Sequence, residues 1–142
     1  MPVIMRNLMV IARCANQYRS QMLAPLGLKG NHASYLLQIC REPGLTQDQL
    51  AKNLHFDKSN VARQLSALEE LGYIRRESCP GDKRILRVYP TDKATDALPQ
   101  IRQVLRDWER LATQDLDPEA REQLINALAS IRTRAVQWTE EE

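Results

Sequence analysis

The apolar spacing of this chain changes once, at a point that leaves few folds open. Up to Leu71 the apolar residues recur at steps of three and four, the period of amphipathic helices. Residues 73–78 and 85–89 break that period with two short β-type runs, holding Ile74 in the first and Ile85, Val88 and Tyr89 in the second. Between them lies Cys79-Pro80-Gly81-Asp82-Lys83-Arg84, a polar turn with Pro-Gly at its heart, so the pair reads as a hairpin with a basic tip. Helical spacing returns after Pro90. One hairpin inside an otherwise helical chain is not a sandwich, a barrel or a parallel sheet. The expected fold class is mainly α with a small β-hairpin (α+β).

The helices carry their own start and stop signals. Leu8, Ile11, Ala15, Tyr18 and Met22 form a stripe over residues 3–23, which a break at 24–28 closes. Tyr35, Leu36, Ile39 and Cys40 mark a second helix that stops at Pro43-Gly44. Thr46 with Gln49 reads as a capping box, opening a short helix with Leu50, Ala51 and Leu54 inward. Asp57 caps a fourth helix with the stripe Val61, Leu65, Leu68 and Leu71, and Gly72 ends it. Thr91 is expected to cap a long fifth helix through Leu98, Ile101, Leu105, Trp108 and Leu111, kinked at Pro99. Asp117-Pro118 opens a last helix with Leu124, Leu128, Ile131, Ala135 and Trp138 on one face.

Composition removes most functional classes. The chain has 142 residues, 43% hydrophobic and 27% charged, as expected of one soluble globular domain. Its longest uncharged apolar stretch, Leu8 to Ala12, is far short of the ~20 residues a bilayer span needs. No secretory h-region follows Arg6, so a cytoplasmic protein without membrane association is expected. Cys14, Cys40 and Cys79 form no C-x-x-C pair, and His32 and His55 have no ligand spacing, which implies reduced thiols, no metal and no cofactor. Without a nucleophile beside either histidine, a Gly-rich phosphate loop or a carboxylate pair in an apolar setting, no enzyme is expected. The net charge of +2 hides a gradient. Arg6, Arg13, Arg19, Lys29 and Arg41 precede the first acid, Glu42, whereas acids outnumber bases beyond residue 91.

Residues 46–90 carry the chemistry. A short capped helix, a tight turn at His55-Phe56-Asp57 and a longer helix make a helix–turn–helix, whose second helix must lay donor-rich side chains into a major groove about 12 Å wide. Lys58, Ser59, Asn60, Arg63 and Gln64 form that polar face: Ser59 and Asn60 for phosphate or base edges, Arg63 for guanine, Gln64 for adenine. Arg75, Arg76, Lys83, Arg84 and Arg87 make the hairpin basic, and a helix–turn–helix followed by such a ribbon is a winged helix. An arginine at the wing tip, Arg84, suits a narrow A·T-rich minor groove, with Asp82 as the carboxylate that pins its guanidinium. A winged helix used only for protein binding is the rival. It would carry acids in place of the donors at 59–64, or a wing without arginine.

The stretch from Gly44 to Lys93 resembles the MarR family of bacterial transcriptional regulators. The matching segments are G-L-T-Q-D-Q-L-A, D-K-S-N-V-A-R-Q-L-S-A-L-E-E-L-G-Y-I-R-R and D-K-R-I-L-R-V-Y-P-T, with the D-x-R wing element the most specific. The resemblance implies a homodimer on a palindromic DNA operator. A winged helix–turn–helix lobe at 29–90 would read DNA, and helices at 1–23 and 91–142 would form the dimerisation lobe of the single MarR-like chain, 1–142. It further implies a repressor released by a small aromatic or amphipathic effector. An effector crevice is expected where the first, second and fifth helices approach, with Tyr18, His32 and Tyr35 as polar handles on an apolar lining. Some branches of the family sense oxidants through a cysteine near the start of the first helix. Here that region is Met5 to Met9, and Cys14 lies about a turn later, in a basic stretch beside Arg13. A cysteine-based redox-sensing regulator of the same fold is therefore the alternative, while Cys14 is expected to be a buried, inert thiol, Cys40 a core residue and Cys79 the most exposed of the three.

Overall fold

The computed structural model describes residues 2–140, which divide into two compact units between Arg106 and Asp107. The first unit begins with α1 (Val3–Leu23), and a short 3-10 turn at Ala24–Leu26 closes it on Gly27, whose positive φ of 75° lets the chain reverse. Next come α2 (His32–Arg41), the two-residue strand β1 (Leu45–Thr46), α3 (Gln47–Leu54) and α4 (Lys58–Glu70). The hairpin β2 (Ile74–Cys79) and β3 (Asp82–Pro90) leads into α5 (Asp92–Ala112), which crosses from the first unit into the second. The second unit contains α6 (Pro118–Glu140).

Caps set the boundaries as their spacing suggests. Thr46 and Gln49 form the reciprocal capping box of α3, and Asp57 accepts from the Asn60 amide at the start of α4. His55 takes the left-handed conformation between these helices, at φ 56°, and Gly72 takes it after α4. The Asp117 carboxylate caps α6 through the Ala120 amide at 2.8 Å. Thr91 stands directly before α5, its carbonyl accepting from the Thr95 amide at 3.2 Å, while its hydroxyl donates to the Gly72 carbonyl at 2.6 Å and joins the exit of α4 to the entry of α5. The helix α5 continues through Pro99.

The sheet departs from the sequence reading in two ways. It has three strands in the order β1-β3-β2, because Leu45 and Thr46 pair antiparallel with Val88 and Arg87. The turn of the hairpin is only Pro80-Gly81, since Cys79 pairs with Asp82. The next pair is Ser78 with Leu86, so Lys83, Arg84 and Ile85 have no opposite residues on β2 and form a bulge.

One apolar core fills the first unit. It joins Leu36 and Ile39 of α2, Leu50 of α3, Val61, Leu65 and Leu68 of α4, and Val88 of β3. Residues flanking this lobe, Leu23 of α1 and Ala94, Ala97, Ile101 and Val104 of α5, belong to the same core. The α1 stripe is only partly covered within the chain: Ala15 is buried, whereas Ile11 and Met22 are exposed. In the second unit α6 buries none of its residues.

Candidate nucleic-acid interface

The positioning of α4 follows from its two faces. Val61, Leu65 and Leu68 sink into the core, and the steps between them turn Ser59 and Arg63 outward. Ser59 and Arg63 are exposed, and neither side chain forms a hydrogen bond or ion pair with another described residue. Lys58 is exposed too, and its ammonium lies 3.5 Å from the Asp48 carboxylate of α3, a surface pair of little strength. Asn60 and Gln64 are half-buried and joined, with Gln64 Nε2 donating to Asn60 Oδ1 at 3.3 Å. Gln64 Oε1 in turn meets Nε2 of His32 at 3.1 Å. Of the five α4 residues singled out in the sequence, three face outward and two are tied into the protein.

The five basic residues of the hairpin also separate. Arg76 is held by Gln47, Ser66 and Glu69, in a bond network that spans α3, α4 and β2. That network holds the Glu69 carboxyl below the usual carboxylate range, chiefly through the Arg76 hydrogen bond. Arg75 pairs with Glu77 and lies over the Tyr89 ring at 4.5 Å. Arg87 donates to the Gly44 carbonyl at 2.8 Å, fastening β3 beside β1. These three arginines brace the wing. Lys83 and Arg84 remain, both exposed and both in the bulge.

Asp82 grips Arg84 at three points. Its Oδ1 accepts from the Arg84 backbone amide at 3.0 Å and from Nε at 3.1 Å, and its Oδ2 accepts from Nη2 at 3.1 Å. These bonds hold the Asp82 carboxyl below its ordinary range. The guanidinium is thereby fixed in direction while its side chain stays 91% exposed.

The residues named for an effector crevice are not gathered on one open lining. His32 is buried, and its partners are Lys29 and Gln64. Tyr35 is fully buried, its ring 5.6 Å from that of Phe56, and its hydroxyl has no hydrogen-bond partner among the described residues. Tyr18 is half-buried against the core. The cysteines are corrected as well: Cys14 is exposed within the single chain, on the part of α1 where Ile11 is exposed too, whereas Cys79 is only half-exposed beside the turn. Burial pushes the half-buried Cys40 thiol up, against the pull of Arg102.

A capped helix–turn–helix packed on a bulged, basic hairpin defines a winged helix–turn–helix protein. The MarR family profile matches residues 26–85. A crystal structure of MarR covers 100% of this chain and 96% of its own, at TM-score 0.90 and 32% identity. A MarR family transcriptional regulator from Listeria monocytogenes, complexed with a 26mer DNA, has the same fold at TM-score 0.86 and 24% identity, over 96% of this chain and 91% of its own. The HTH-type transcriptional regulator YybA of Bacillus subtilis (strain 168) is 26% identical over 129 residues, 91% of this chain and 86% of YybA. The chain belongs to the MarR family of transcriptional regulators, which are not enzymes.

Proposed function

We propose that the protein is a cytoplasmic repressor that binds a palindromic operator as a homodimer. The winged lobe at 29–90 reads each half-site, and the helices at 1–23 and 91–142 join the two copies. One observation carries this reading: Ser59 and Arg63 on α4 and Lys83 on the wing are exposed and uncommitted, and Arg84 is aimed by Asp82, while the other hairpin arginines serve the protein itself. Free donors on a helix and a fixed arginine on a ribbon are what one major-groove and one minor-groove contact require. The DNA in the Listeria complex supports the same reading. The exposed apolar residues of α1 and α6 support the dimer.

Release by a small amphipathic effector is part of the proposal. The buried hydroxyl of Tyr35, without a hydrogen-bond partner among the described residues, supports it, since such a group gains from a ligand that supplies a hydrogen bond. The test is selection from randomised duplexes, followed by titration of the selected duplex over a range of salt. A strong negative salt slope and a selected inverted repeat are expected. Salt-independent binding, or selection of no sequence, overturns the reading in favour of a protein-binding winged helix. Phenols and aromatic acids added to the complex then test release, with Tyr35→Phe as the variant expected to blunt it.

A further inference from the structure

The polar chain between α2 and α4 has a direction, and a backbone group sets it. The Lys29 N–H donates to Nδ1 of His32 at 3.0 Å, so that nitrogen carries no proton. Burial lowers the pKa of the ring, against the bond to Gln64 and together with the Lys29 charge, so the imidazole is neutral. Its one proton therefore sits on Nε2, which donates to Gln64 Oε1 at 3.1 Å. With Oε1 turned to the histidine, Gln64 presents its NH2 to Asn60, one turn earlier on α4, and donates to Oδ1 at 3.3 Å. The outer end of the relay is the Asn60 NH2, which has no acceptor among the described residues.

We propose that His32 is a specificity-determining positioning residue: through Gln64 it locks the Asn60 amide so that this side chain offers DNA a hydrogen-bond donor. The inference rests on α4 being the helix that enters the major groove. There guanine, adenine N7 and thymine O4 provide acceptors, whereas the polar group of cytosine is the N4 donor. The base facing Asn60 is therefore anything but cytosine. Gln64, in this arrangement, acts inside the relay and makes no base contact of its own.

The experiment compares base preferences, by selection from randomised duplexes, for the wild type and for His32→Phe, Gln64→Glu and Asn60→Ala. The wild type is expected to deplete cytosine about tenfold at one position of each half-site, the scale of one good contact. Asn60→Ala removes that depletion, His32→Phe weakens it, and His32→Phe adds nothing in the Asn60→Ala background. Gln64→Glu puts an acceptor where the relay has a donor, so Asn60 turns its NH2 inward, its oxygen outward, and cytosine becomes accepted. Unchanged cytosine discrimination in a folded His32→Phe protein overturns the proposal, as does a His32→Phe effect that persists without Asn60. If His32→Phe does not fold, Gln64→Glu, at a half-buried site, decides alone. Nitrogen-15 NMR of the free protein reads the tautomer without DNA: an Nε2-protonated ring supports the relay and an Nδ1-protonated ring overturns it. Failure to select any sequence, with the Nε2 tautomer present, rejects α4 as a reading helix and the Asn60 assignment with it, and leaves the relay standing.

Discussion

The role proposed for Arg84 depends on Asp82. A long side chain that is 91% exposed would ordinarily lose much conformational freedom on entering a groove, and the carboxylate removes part of that cost beforehand. Arg84→Ala is expected to weaken operator binding by about 1–3 kcal/mol, the value of one specific arginine contact. Asp82→Ala should give a smaller loss, since the charge survives and only its aim is lost. Equal affinities of Arg84→Ala and wild type for the selected operator would place the anchor elsewhere. His32 gives a prediction about pH. Its pKa lies below 6.5 in the folded chain because burial disfavours the imidazolium, so the unfolded state takes up a proton first as pH falls. The stability this neutral ring contributes is complete above pH 6.5 and is lost as pH falls from there toward the folded value. Urea midpoints on either side of pH 6.5 should show the drop in the wild type and a smaller one in His32→Phe.

The helices were legible because their signals are local. The Thr46 and Gln49 box, the Asp57 and Asp117 caps and the stripe Val61, Leu65 and Leu68 all lie within a turn or two of what they determine. Thr46→Ala should cost about 1 kcal/mol in thermal or denaturant unfolding. The strand β1 was not legible. Two residues form a strand only because β3 lies beside them, and β3 is some forty positions away. The same cause divides the candidate site. Spacing placed Gln64 on the polar face of α4 but could not reveal that His32, from another helix, occupies its carbonyl. Nor could it reveal that Arg76 and Arg87 are held by Gln47 and by the Gly44 carbonyl. Asp82 and Arg84 are two residues apart, and that contact could be read directly. Gly30 belongs with the illegible features. A Cβ there would stand 2.4 Å from the Asn16 carbonyl oxygen, and the Gly30 amide donates to Ser20 Oγ at 2.8 Å, so α1 passes directly over the entry to α2. Gly30→Ala should force the two apart and cost about 1–3 kcal/mol, the usual range for overpacking. An unchanged melting temperature would mean that α1 yields without loss.

A 23-residue helix that buries none of its residues has no evident source of stability in a single chain, because helices in proteins are held chiefly by packing of an apolar face. Yet α6 carries such a face: Leu124, Leu128, Ile131 and Trp138 recur at steps of four, three and seven, and all are exposed. At its far end the chain repeats the pattern, with Val3, Ile4, Met9 and Ile11 of α1 exposed on a helix whose later turns join the core. Exposed apolar residues recurring along two helices support the proposed dimer, since such faces mark subunit interfaces. In the proposed dimer a second copy covers these residues, and two identical winged lobes related by a two-fold axis would match an inverted repeat with half-sites about one DNA turn, ~34 Å, apart. Leu128→Asp combined with Ile131→Asp puts two carboxylates into each half of that interface. Sedimentation should then report a monomer or an unfolded chain, and affinity for the full operator should fall to the level of a single half-site or below. A double variant that stays folded, sediments as a monomer and still binds the full inverted repeat as tightly as wild type would show that the two lobes assemble on DNA without α6, and the interface would have to be sought on α1 alone.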